Sequence, residues 1–112
     1  MKLLRQNLIK NNYQNPYNVY RKLYQANQNY SLKEDEVNTW GYQLLEQNKK
    51  NEALQVFKLN TLLFPKSWNV YDSYGEILET LGKRKEAIIN YRKSLELNPD
   101  DTNARKYLDD KK

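Results

Sequence analysis

The 112-residue chain carries 19 Lys and Arg against 14 Asp and Glu, a net charge of +5, with no His, no Cys, three Gly and three Pro. Without Cys there is no disulfide framework and no thiolate zinc site, and without His the usual base of a Ser or Cys nucleophile is missing. No apolar run approaches bilayer-spanning length and MKLLRQNLIKNN is too polar for a signal-peptide core, so the sequence reads as one small soluble domain, residues 1–112; the lack of Cys fits a cytoplasmic setting, with an extracytoplasmic one as the alternative if the chain is a fragment of a secreted protein.

Leu3, Leu4, Leu8 and Ile9 predict a short amphipathic helix, NNYQNP breaks it, and Pro16 opens a second helix that runs to about Gln28. Residues 1–33 hold six basic side chains (Lys2, Arg5, Lys10, Arg21, Lys22 and Lys33) and no acidic one, which leaves 13 basic against 14 acidic residues in the rest. Tyr13, Tyr17, Tyr20, Tyr24 and Tyr30 are interleaved among these charges, a composition that can track a nucleic-acid backbone and stack bases. A packing role outweighs that reading: Tyr17, Tyr20 and Tyr24 share one helical stripe beside Leu23, and six scattered charges fall short of a dense basic cluster. Left uncovered, the same stripe would favour self-association.

From residue 34 the chain repeats itself. Gly41 and Gly75, Ala53 and Ala87, Phe57 and Tyr91, and Pro65 and Pro99 each recur after 34 residues, as do Leu44 with Leu78, Lys49 with Lys83, Glu52 with Glu86, Leu54 with Ile88, and Leu63 with Leu97. Each position has a physical role. Gly and Ala allow close helix approach, the rings fill the space beside them, and Pro lacks the amide that would prolong a helix. Gly82 is placed to close the helix ending at Leu81 with a positive φ, and its counterpart Asn48 is the next residue type to tolerate that conformation. The shift continues weakly upstream, setting Val19, Leu23 and Ala26 against Ala53, Phe57 and Asn60, so residues 1–30 read as a degenerate hairpin before repeats at 34–67 and 68–101. Asp100 or Asp101 caps a final helix over 102–112; Ala104, Tyr107 and Leu108 form its covering face, and Asp109, Asp110, Lys111 and Lys112 stay in water.

This pattern resembles the tetratricopeptide repeat over residues 34–101. The resemblance implies an all-α fold, a right-handed superhelical stack of antiparallel helix hairpins with about three hairpins and a C-terminal capping helix. It also implies a concave groove lined by the first helix of each hairpin. By position, that groove presents Asp35, Asn38, Tyr42 and Leu45, then Asn69, Asp72, Glu76 and Glu79, then Asn103 and Lys106. Some members of the family grip the C-terminal carboxylate of chaperones with Lys and Asn; Asp72 and Glu76 stand where such a grip needs a basic or amide group. An acidic, partly aromatic groove suits a basic or mixed peptide instead.

Asp72, Glu76 and Glu79 lie at i, i+4 and i+7 on one helix face, but acid and base roles also need a pocket that separates two pKa values, so the stripe reads as solvated or ligand-facing. Lys49, Lys83, Arg84, Lys85, Arg92 and Lys93 read as a solvated outer face. No phosphate loop, cofactor motif or metal-ligand spacing appears, and the chain is expected to be no enzyme. A narrower resemblance, carried by VFKLNTLLFPKSWNVYDSYGE and NPYNVYRKLY, is to the repeat tail of bacterial serine hydrolases of esterase-like and β-lactamase-like type. It implies a preceding catalytic domain on which the N-terminal helices dock. The expected function is therefore a non-enzymatic interaction module for a protein or peptide, with an accessory domain of a hydrolase as the alternative.

Overall fold

The computed structural model describes residues 1–111, and among these the only regular elements are seven helices. They are α1 (Lys2–Lys10), α2 (Pro16–Ala26), α3 (Glu34–Glu46), α4 (Lys50–Leu63), α5 (Trp68–Thr80), α6 (Arg84–Leu97) and α7 (Thr102–Asp110). The sequence period becomes a period of helix starts. Helices α3, α5 and α7 begin at residues 34, 68 and 102, while α2, α4 and α6 begin at 16, 50 and 84. Hairpins α3–α4 and α5–α6 stack through α4 against α5, α7 packs on α6, and α2 packs on α1 and α4. The fold is thus an all-helical repeat stack. None of these helices is long and apolar enough to cross a membrane among the described residues. Lys112, expected to stay in water, lies outside the described residues.

The residues that punctuate the helices explain where they stop. Asn12, Asn48 and Gly82 all have positive φ, at 54°, 60° and 77°. After each, the next amide reaches back five residues: Tyr13 to the Leu8 carbonyl, Lys49 to Leu44 and Lys83 to Leu78, each at 2.8 Å. This left-handed closure satisfies carbonyls that the helix end would otherwise orphan. The first such turn runs over residues 11–15 and the other two over three residues, 47–49 and 81–83, so the upstream copy is stretched by two residues where its similarity fades. Helices α4 and α6 stop before Pro65 and Pro99, with Phe64 and Asn98 driven out of helical geometry. Helix α2 stops at Ala26 rather than near Gln28, because Asn27 takes extended backbone and its side chain accepts from the Asn29 amide at 3.0 Å. Of the two expected caps of α7, Asp101 is the one that accepts from the Ala104 amide, at 3.2 Å.

The core forms where the repeat brings small and large residues together. Leu4 and Leu8 of α1 join Val37, Trp40, Leu44, Ala53, Val56, Phe57, Leu59 and Ile77 in one buried cluster; Leu78, Ala87, Tyr91 and Ala104 form a second. Trp40 anchors α1: the Tyr13 ring packs on it at 5.9 Å and the Arg5 guanidinium sits over it at 5.2 Å. Ring and glycine meet closely in each hairpin. A Cβ built on Gly41 would lie 2.6 Å from the Phe57 ring, and one on Gly75 would lie 3.1 Å from the Tyr91 ring.

These distances separate the two glycines. Alanine gains up to about 1 kcal/mol of helix propensity over glycine, while overpacking costs about 1–3 kcal/mol. Gly41→Ala is expected to lower unfolding free energy in urea, and Gly75→Ala to change it less. Equal effects at the two sites would show that the ring contact does not decide the outcome.

Candidate functional site

The first helices α3, α5 and α7 carry the ten positions singled out by sequence, and their exposures differ. Asp35, Glu76, Asn103 and Lys106 are exposed; Asn38, Tyr42, Leu45, Asn69 and Glu79 are half-buried; Asp72 is buried, at 9% exposure. Leu45 packs against the main core and so serves the fold from this position. Asp35 and Lys106 take no part in the bonds described next.

Neighbouring first helices are joined by side-chain hydrogen bonds. The Tyr42 hydroxyl of α3 donates to Glu76 Oε2 of α5 at 3.0 Å and lies 3.4 Å from Ser73 Oγ. Asn103 Nδ2 of α7 donates to Asp72 Oδ1 at 2.9 Å, and the Tyr107 hydroxyl donates to Glu79 Oε2 at 2.6 Å. The acidic stripe on α5 is therefore held from both sides, by one phenol from α3 and by one phenol and one amide from α7. Burial, together with the adjacent carboxylates, pushes Tyr42 and Tyr107 up to about 12, so both remain protonated donors at neutral pH. Among the described residues, no Lys or Arg lies at ion-pair distance from Glu76 or Glu79.

Asp72 behaves differently from the other two acids. Burial, and then the neighbouring Asp101 carboxyl, raises it to about 7, whereas the Asn103 bond opposes the shift. Burial would raise Asp101 too, but bonds from Asp72, from Ser94 Oγ and from the amides opening α7 hold it below the usual carboxylate range. Burial thus favours the protonated form of Asp72, while Asp101 is the ionised cap of α7. Ser94 Oγ donates to Asp101 Oδ2 at 2.5 Å, completing a buried polar cluster where α5, α6 and α7 meet. Asp72 is thus a buried junction group rather than part of a solvated stripe.

Sequence reasoning missed Ser94 and the role of Asp101 beyond capping, and it treated Tyr107 as packing alone. A signal for the junction lies in the period. Asp72, Ser94 and Asp101 stand 34 residues after Asn38, Asn60 and Ser67, so polar residues recur at all three positions. Asn60 is fully buried, and its Nδ2 donates to the Glu34 carbonyl at 3.2 Å.

An acid whose pKa rises on folding takes up a proton as the chain folds, so its contribution is greatest at low pH and is lost as pH rises toward 7. Asparagine at position 72 mimics the protonated acid. Urea unfolding at pH 5 and pH 8 is expected to show wild type losing stability relative to Asp72→Asn by about 1 kcal/mol or more. A difference between the two proteins that does not change with pH would rule out an Asp72 raised by its burial.

No curated protein sequence matches the chain. The sequence profile of the tetratricopeptide repeat matches residues 69–101, which span nearly all of α5, all of α6 and the cap of α7. The match concerns the repeat and carries nothing about hydrolase tails. A helical repeat of this kind supports a protein-interaction module, an architecture that is ordinarily non-catalytic, and residues 69–101 of this chain are similar to the tetratricopeptide repeat family.

Proposed function

We propose that the face formed by α3, α5 and α7 is a groove that holds a basic, extended peptide segment of a protein partner. The observation that carries this reading is the pair of carboxylates Glu76 and Glu79, each fixed through one oxygen by a phenol from a neighbouring helix. A carboxylate has about four acceptor positions, so one such bond orients the group and leaves capacity for a ligand cation. Fixing the acids beforehand reduces the side-chain ordering that binding would otherwise require. Half-buried Tyr42 adds an aromatic surface beside them, the residue type that tends to dominate binding energy. Asp72, neutral below about 7 and buried, supports this face from beneath and is not itself the charge that meets the ligand. The acidity also argues against capture of a chaperone C-terminal carboxylate.

A fluorescein-labelled peptide of alternating Arg and Ser tests the groove by polarisation. Saturable binding is expected, weakened on the order of tenfold or more by Glu76→Lys with Glu79→Lys, because like charges then face each other. Circular dichroism should remain helical. Binding that survives the double reversal would place the basic segment elsewhere or nowhere on this protein.

A further inference from the structure

The packing role expected for the tyrosine stripe of α2 is only partly met. Tyr20 packs against the core, but Tyr17 and Tyr24 are 40% and 44% exposed. The three rings form a stacked row, Tyr17 to Tyr20 and Tyr20 to Tyr24, each pair 6.2 Å apart with interplanar angles of 23° and 24°. Tyr20 also meets Tyr30, so the row is fixed from behind. Helical spacing sets Arg21 beside Tyr17 and Tyr24, at i+4 and i−3. Tyr and Arg together are the composition enriched in protein-binding hot spots.

Tyr17 also lines a cleft of about 320 Å³ between the start of α2 and α4. Pro16, Leu59 and Leu62 supply its apolar wall, with Leu62 49% exposed. The rest of its lining is four carboxamides and one charged residue, Lys58, and no acid. Arg21, Lys22 and Lys58 have no carboxylate at ion-pair distance among the described residues.

We infer that this α2–α4 surface is a second docking site, for an acidic peptide segment that places an apolar side chain in the cleft and carboxylates against Arg21 and Lys58. Charge complementarity selects that occupant. A second copy joined through the same face would bring the Arg21 and Lys58 cations of both copies together, which opposes an isologous dimer. A nucleic-acid strand needs a row of cations along its phosphates, whereas Lys10 and Lys22 line a separate cleft facing α1, and the α2–α4 cleft offers one Lys. Carboxamides suit a peptide backbone, since each can both donate and accept. The surface belongs to the second helices, so it and the groove bind segments of opposite charge on different helices.

The probe is a fluorescein-labelled poly-glutamate peptide with a central Leu-Pro, measured by polarisation at low salt beside plain poly-glutamate and labelled oligothymidylate. Saturable binding of the Leu-Pro peptide is expected, stronger than that of plain poly-glutamate. Arg21→Glu with Lys58→Glu should weaken it on the order of tenfold. Tyr17→Ala should weaken the Leu-Pro peptide while leaving poly-glutamate unchanged. Glu76→Lys with Glu79→Lys, in the groove, should not weaken it. No saturable binding, equal binding of the two glutamate peptides, indifference to the charge reversal, or tighter binding of oligothymidylate would each overturn the assignment.

Discussion

The fold rests on the fit of an aromatic ring against a glycine within each hairpin, Phe57 against Gly41 and Tyr91 against Gly75. Neither member suffices alone. A larger residue at Gly41 would meet the ring within contact distance, and a smaller residue at Phe57 would leave a void in the buried cluster that joins α1, α3, α4 and α5. Because the contact recurs after 34 residues, the second hairpin repeats the first, and the helix starts fall into register along the chain. The left-handed turns at Asn48 and Gly82 preserve that register by closing both hairpins in the same geometry.

Register, in turn, distributes the polar chemistry. The first helices lie side by side, so Tyr42 reaches Glu76 and Tyr107 reaches Glu79 across helix boundaries. The second helices bring Tyr17 of α2 beside Leu59 and Leu62 of α4. An acidic face on one set of helices and a basic, aromatic face on the other follow from one stacking scheme, although the net charge of +5 alone suggests a uniformly basic protein. Asn103 bonds the buried Asp72 and Ser94 bonds the Asp101 cap, so the last helix is docked through polar contacts as well as through Ala104 and Tyr107.

Much of this architecture was legible in the sequence because the determinants are local or periodic. Gly41, Phe57, Gly82 and Pro99 each act within a few residues or one repeat, and the period exposes them. The ten positions expected to line a groove were legible as a row on the first helices, but their exposure was not. Nothing in the spacing of Asp72 and Glu76 shows that one is buried while the other faces solvent, since that depends on how α6 and α7 pack over α5, across helix boundaries. Tyr17 and Tyr24 misled for the opposite reason. The stripe is real, but of its three tyrosines only Tyr20 packs against the core, while Tyr17 and Tyr24 stay exposed.

The most direct test of the account is a double-mutant cycle on the first interlocking pair, with Gly41→Ala and Phe57→Leu made singly and together and their unfolding free energies measured in urea. If the ring is what excludes a side chain at position 41, the alanine penalty should largely vanish in the leucine background, a coupling of about 1 kcal/mol or more between residues in contact. Strictly additive losses would contradict the account, because the glycine would then be serving something other than the approach of Phe57.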